Sequence, residues 1–275
     1  LSAGGNISVT STNNLNLAKV SGENIFLQTT NGSADITLND TVTSRANGNS
    51  IVIASGNNFF NNYGANALDS GDGRWLVYSS DPAQNSSLGL TGDFKRYNQD
   101  FINNSPADIS ENGNGFLYSI APSITFEGKS ITREYGEENP AFTSSYSGLI
   151  DGDTATSAFV GKIAYSAADA TADAGTSPIK QSIGTLTSPL GYQFTFVDGN
   201  LTIEKAPLEI IANDTKREAL QQNPQFTATY SGFKLTDTLD SMDTLAQFKT
   251  LAETNSKAGA YTITPYGAAS KNYNF

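Results

Sequence analysis

The chain has 275 residues, enough for two or three domains, and carries a formal net charge of −11 with no cysteine and no histidine. Such an acidic balance, with no run of Lys and Arg, argues against nucleic acid and anionic lipid, which are bound by cationic clusters. Missing Cys and His remove disulfide frameworks, His-based triads, Cys nucleophiles and zinc sites built on either residue, and no run reaches the ~18 apolar residues of a membrane span.

Residues 1–58 carry a short apolar beat: Ile7-Ser8-Val9, Leu15-Asn16-Leu17, Ile25-Phe26-Leu27, Ile36-Thr37-Leu38 and Ile51-Val52-Ile53. Spacers such as Asn13-Asn14, Asn31-Gly32 and Asn47-Gly48-Asn49 separate the beats and supply residues that turn cheaply. Strands of about three residues are unstable as isolated hairpins and become stable when coils stack. The spacing predicts the end of a parallel β-solenoid with two beats in each coil of about twenty residues. An ordinary β-sandwich is the competing reading, but its strands usually run to ~5–6 residues.

Residues 59–120 lose the beat and gain aromatics, among them Phe59, Phe60, Tyr63, Trp75, Tyr78, Phe94, Tyr97, Phe101, Phe116 and Tyr118. An open solenoid end exposes strand edges and apolar core, so this stretch reads as an aromatic-rich cap and linker. Arg74–Tyr78 and Asn114–Ser119 are its expected strands.

From Ala121 the chain repeats itself at a distance of 84 residues. Arg133-Glu134, Asn139-Pro140, Phe142-Thr143, Tyr146-Ser147-Gly148 and Asp153-Thr154 recur as Arg217-Glu218, Asn223-Pro224, Phe226-Thr227, Tyr230-Ser231-Gly232 and Asp237-Thr238. Eleven of the 22 positions from 133 to 154 are identical, which chance does not explain. The expected modules are 121–206 and 207–275, each small and β-rich, with either an immunoglobulin-like or a β-grasp fold. Tyr192–Val197 and Asn200–Ile203 flank Asp198-Gly199 and read as a hairpin. Met242, Leu245, Phe248, Leu251 and Ala252 fall at helical spacing and predict a helix over 240–253. The second module stops at Phe275 without a counterpart of Asn200–Ile203, and the first residues are neither a start Met nor a leader. Both facts carry the expectation that the chain is part of a longer one.

The solenoid beat followed by Gly73-Arg74-Trp75-Leu76-Val77-Tyr78-Ser79 resembles the end of the right-handed parallel β-helix in filamentous-haemagglutinin-like exoproteins. The repeats resemble MBG-type modules on Tyr135-Gly136-Glu137, Asn139-Pro140, Phe142, Tyr146-Ser147-Gly148-Leu149 and Gly199-Asn200-Leu201-Thr202-Ile203. The second module departs from that pattern, with Ala219-Leu220 in place of Tyr-Gly. The resemblance implies a secreted, cell-surface adhesin of a Gram-negative bacterium, exported by a two-partner outer-membrane transporter and attaching to polysaccharide or to host or neighbouring cells.

Chemistry is left to carboxylates. Asp69, Asp72, Asp151, Asp153 and Asp198 sit in apparent turns, where short polar side chains bond their own backbone. A polysaccharide-acting β-helix enzyme needs a long charged groove, and the coils hold only Lys19 and Arg45 as bases. No residue is assigned a catalytic role. Structural calcium has two candidate stretches, Asp151-Gly152-Asp153-Thr154 and Asp69-Ser70-Gly71-Asp72-Gly73, neither fitting an EF-hand. Trp75 and Tyr78 are the candidates for stacking on sugars and are read first as cap core, as Tyr146 and Tyr230 are read as module core. A dedicated glycan-binding module is the alternative function.

Overall fold

A computed structural model of the protein describes all 275 residues. It is almost entirely β. The helical pieces are the single turns Pro82–Gln84, Ala155–Ala158 and Leu239–Ser241, and no helix is long and apolar enough to cross a membrane.

The N-terminal strands form three parallel sheets that the chain visits in rotation. Ile7–Ser11, Leu15–Leu17 and Val20–Gly22 make the first circuit, and Ile25–Thr29, Ile36–Leu38 and Val42–Ser44 the second. Asn49–Ala54, Phe59–Asn61 and Leu68–Asp69 make the third, and Arg74–Ser79 opens a fourth. Ile7, Ile25, Ile51 and Trp75 follow one another in register, as do Leu15, Ile36 and Phe59, and Val20, Val42 and Leu68. Each short strand thus finds backbone partners in a neighbouring circuit, and those of the second circuit find them on both sides. The circuit holds three strands, where the sequence pattern suggested two. The third set presents one large apolar residue per strand (Val20, Val42 or Leu68) among polar neighbours, so it lacks the double beat. The stacked strands also run on past residue 58, with Arg74–Ser79 and Gly115–Tyr118 extending the first sheet.

Inside the circuits lie Leu27, Ile36, Leu38, Ile51, Ile53, Phe59 and Val77, all without solvent exposure. At the corners, asparagines bond across circuits. Asn24 Nδ2 donates to Asn6 Oδ1 at 3.0 Å, Asn62 Nδ2 to Asn39 Oδ1 at 3.0 Å, and Asn57 Nδ2 to Asp35 at 3.0 Å. These bonds account for the asparagine-rich spacers.

The aromatic segment does more than plug an end. Phe94–Arg96 is the terminal strand of the six-stranded sheet. Phe101 lies 5.4 Å from Phe26 and 5.3 Å from Tyr78, and Ile109 joins Val52, Leu76 and Leu117 on the outer face of that sheet. Arg74 ties the irregular stretch down by donating to the carbonyls of Pro106, Ile109 and Glu111. Trp75 and Tyr78 are each 2% exposed, within the packing of the sheet.

The chain divides into two compact units. The first is Leu1–Thr125 with Tyr146–Ile163 and Ile183–Thr195, and the second is Phe126–Ser145 with Ala164–Ser182 and Phe196–Phe275. The second unit holds a four-stranded sheet in the order Ile131–Glu134, Gly199–Glu204, Gly175–Ser182, Ala164–Ser166. Ile131–Glu134 runs parallel to Gly199–Glu204, while Gly175–Ser182 runs antiparallel to it. Ile179, Leu201, Ile203, Ala206 and Leu208 form the core beneath. The single helical turn Ala155–Ala158 is too short to cover a sheet in the manner of a β-grasp.

Two expected local structures are replaced. Gln193–Val197 and Gly199–Glu204 are not a hairpin: they belong to different sheets. Asp198 accepts from the Gln181 amide at 2.9 Å, and a Cβ on Gly199 would stand 2.8 Å from the Lys129 carbonyl oxygen, so the chain crosses closely between sheets there. Gly199 also lacks the positive φ that the tightest Asp-Gly hairpin turn requires. The helix over 240–253 is absent as well. Thr238 caps only the turn Leu239–Ser241, and Gln247–Lys249 pairs antiparallel with Thr264–Tyr266. Leu251, at helical spacing, is 88% exposed, so the expected stripe has no surface to bury against.

Candidate functional site

The two repeats preserve an arginine–asparagine clamp. Arg133 Nε donates to Asn139 Oδ1 at 2.8 Å and its guanidinium reaches the Asp169 carbonyl, while Asn139 Nδ2 donates to the Ala168 carbonyl at 2.8 Å. Arg217 and Asn223 do the same to Glu253 and Ala252, with the two corresponding distances both 2.7 Å. These repeated residues therefore hold a loop within their own module.

Asp153 and Asp237 behave differently. Within the first unit, Asp153 Oδ2 accepts from the hydroxyls of Tyr97 at 2.7 Å and Tyr192 at 2.8 Å. Within the second, Asp237 Oδ2 accepts from Tyr135 at 3.0 Å and Tyr273 at 2.7 Å. In each pair the rings meet edge to face, with centroids 5.1 Å apart for Tyr97 and Tyr192 and 5.6 Å for Tyr135 and Tyr273. Tyr192 and Tyr273 close their own modules. Tyr97 belongs to the cap, and Tyr135 to the module before the one that holds Asp237. The same lock therefore joins cap to first module and first module to second.

A lysine completes each lock. Lys95 reaches Asp151 at 2.7 Å and Asp153 at 2.8 Å, and the Asp153 side chain is only 5% exposed. Lys234 reaches Glu134 at 2.8 Å and Glu137 at 3.1 Å. Burial works to lower the Lys95 pKa, but the bonds to Asp151 and Asp153 outweigh it and hold it above the ordinary lysine value.

The calcium candidates are thereby accounted for. Asp151 and Asp153 converge on Lys95, and Asp69 accepts from the Gly71 amide at 3.2 Å, a turn-forming role. Nowhere do three acidic side chains gather in a way that would hold an ion. Tyr230 is half-buried in the module core and its hydroxyl accepts from the Ala246 amide at 2.9 Å. Its counterpart Tyr146 is not core: it is 46% exposed on an outer strand, with Phe159 edge-on at 5.3 Å. A groove of about 490 Å³ lies in the first unit over Phe94, Phe116 and Tyr118, with Asp93, Lys95 and Asp151 at its wall.

Burial, first of all, raises the pKa of the lock tyrosines, and the bond to a carboxylate adds to it in Tyr97, Tyr135 and Tyr273. Tyr192 is pushed up to about 12, and burial likewise lifts Tyr78 and Tyr118. A raised tyrosine pKa means the folded chain holds its proton more tightly than the unfolded chain. The associated stability is complete below about pH 10 and falls as pH rises further, by up to ~1.4 kcal/mol per pH unit per tyrosine. The tyrosinate absorbance of these residues should thus appear together with loss of β circular dichroism in an alkaline titration. Ionisation of Tyr97, Tyr135, Tyr192 and Tyr273 near pH 10 in the folded chain would contradict the buried locks.

Comparison with known proteins adds one finding. The model of a family described as MBG domain (YGX type) matches residues 124–202 and 208–275, together more than half of the chain. No curated protein and no solved structure matches.

Proposed function

Starting from a chain that belongs to the MBG domain (YGX type) family, we propose that it serves as a structural and adhesive segment of a secreted bacterial surface protein. The parallel winding over the first sheets is, in this reading, the end of a right-handed β-helical stalk of the filamentous-haemagglutinin type, exported by a two-partner transporter. The modules that follow space or present a tip that attaches to polysaccharide or to a neighbouring cell.

One observation carries the reading: the same buried tyrosine–aspartate lock recurs at both joints. Locks of this kind stiffen a joint between modules, as a spacer requires and a flexible linker does not. The stacked circuits of short strands support the same reading, since their continuous backbone ladder resists bending.

Deleting the encoding gene from the source bacterium should reduce cell aggregation and biofilm mass, and restoring the full-length protein should recover both. Unchanged aggregation under every growth condition would remove the proposal. A second reading, a glycan-binding module, draws on the groove over Phe94 and Phe116. Binding on a glycan array that Phe94→Ala abolishes would refine the adhesive role, whereas turnover of a polysaccharide would replace it with an enzymatic one.

A further inference from the structure

The two locks share more than their tyrosines. Tyr97 is followed by Asn98 at φ +57, Tyr135 by Gly136 at φ +80, and the equivalent pair in the second module is Ala219 and Leu220, the latter at φ +67. A residue of positive φ thus recurs three times; the two module copies close a tight turn, with the Glu137 amide donating to the Glu134 carbonyl and the Gln221 amide to the Glu218 carbonyl, whereas in the cap the Gln99 amide donates to the Tyr118 carbonyl. On the receiving side, Asp151 at φ +51 and Leu235 at φ +52 occupy equivalent positions, two residues before Asp153 and Asp237.

Topology explains why this turn reaches the next module. Phe94–Arg96 runs parallel to Gly115–Tyr118, the strand that leads out to Ala121-Pro122. Ile131–Glu134 runs parallel to Gly199–Glu204, the strand that leads out to Ala206-Pro207. A strand lying parallel beside the outgoing strand ends where the next module begins, so the tyrosine after it meets that module's first contacts.

The charges around the two locks are reversed. At the first joint the strand leading into the tyrosine carries the cation, Lys95, and the receiving module carries the anions, Asp151 and Asp153. At the second, the residues flanking the tyrosine and its glycine carry the anions, Glu134 and Glu137, and the receiving module carries Lys234. Gly136 fits this arrangement because a Cβ there would stand 2.6 Å from the Lys234 Cβ.

We propose that the Tyr-Gly turn is a plug for the module that follows, and that the reversed charges around a common tyrosine–aspartate lock specify which receiving module each plug enters. In a chain with two similar modules, a plug of the wrong charge would place like charges face to face, which disfavours misdocking between repeats. The corollary concerns the third copy: Ala219 brings no hydroxyl, and Leu220, 76% exposed, would collide with a lysine placed like Lys234. The second module therefore offers no plug of this kind.

The chain has no cysteine, so K180C and K257C place a dye pair across the second joint in the otherwise unaltered chain. Single-molecule distance measurements should give one narrow distribution. Tyr135→Ala should broaden it severalfold, and so should Lys234→Glu. Combining Lys234→Glu with Glu134→Lys and Glu137→Lys should restore the narrow distribution. Tyr135→Phe and Asp237→Asn should each broaden it partly, and together no more than the larger alone. A distribution that stays narrow in Lys234→Glu and Tyr135→Ala overturns the plug. A broad one in the charge-reversed triple variant overturns the charge code even if Lys234→Glu alone unfolds the module. Neither result depends on aggregation of cells, so the joint and the adhesive function stand or fall separately.

Discussion

Gly148→Ala should cost about 3–5 kcal/mol in the first unit, the sum of a conformational and a steric penalty. Gly148 has φ +102, a backbone state that side chains disfavour, and a Cβ there would stand 2.2 Å from the Ser123 carbonyl oxygen. That oxygen belongs to the first residue of a strand, so relieving the overlap shifts the strand itself. Gly152 supplies the control: its φ is +70, but nothing lies within 4 Å of its Cβ position. Gly152→Ala should cost only ~1 kcal/mol, the conformational part alone. Gly232, the counterpart of Gly148 in the second module, has φ +112 and a contact at 2.9 Å to the Pro207 oxygen, so its substitution should fall between the two. Urea unfolding followed by fluorescence of the single tryptophan, Trp75, reads the first unit; Gly232→Ala is read by circular dichroism. Equal losses for Gly148→Ala and Gly152→Ala would show that the close approach to Ser123 does not exist.

Asp153→Ala should be comparably damaging, at about 3–5 kcal/mol, because it strands groups that depend on one carboxylate. Tyr97 would keep a buried hydroxyl without that acceptor, Tyr192 would be left with only the Ile150 carbonyl at 3.4 Å, and Lys95 would lose one of its two carboxylates. Asp153→Asn retains an oxygen acceptor and removes the charge, so it should cost less, ~1–2 kcal/mol. Tyr192→Phe leaves the carboxylate its other two partners but also removes the acceptor of the Ile150 amide, and should cost ~1–2 kcal/mol. The same fluorescence-detected unfolding checks all three. A loss below ~1 kcal/mol for Asp153→Ala would mean that the lock is solvated and the joint loose.

Much of the fold was legible because it rests on short-range rules. Alternating Ile, Leu and Val separated by Asn and Gly can only be stabilised by stacking, and two of the three parallel sheets follow that beat. The third sheet has no signature in the sequence because a single buried valine or leucine per strand, such as Val20 or Val42, leaves no periodic mark. The repeat of Arg133, Asn139, Tyr146 and Asp153 announced two modules. It could not say that Arg133 and Asn139 clamp a loop of their own module while Asp153 receives a tyrosine from outside it. The helix expected at 240–253 failed for a related reason: apolar spacing predicts a helix only when a surface exists for the stripe, and Leu251 faces solvent.

The candidate joint was the least legible part. Tyr97-Asn98 and Tyr135-Gly136 share a positive φ after the tyrosine and a role, yet only tyrosine is common to them, and asparagine replaces glycine because both tolerate a positive φ. Asp151 and Asp153 read locally as turn residues or calcium ligands, because their partner Lys95 lies more than fifty positions earlier in the chain.

The sequence by itself determined the all-β character, the stacked short strands, the two tandem modules and the absence of histidine and cysteine chemistry, since composition, local periodicity and self-similarity are properties of neighbouring residues. Which strands share a sheet, where Asp198-Gly199 crosses between sheets and which tyrosine meets which aspartate were decided only by the tertiary structure. Those contacts join residues tens of positions apart, and their energies depend on burial and on charges brought close by the fold.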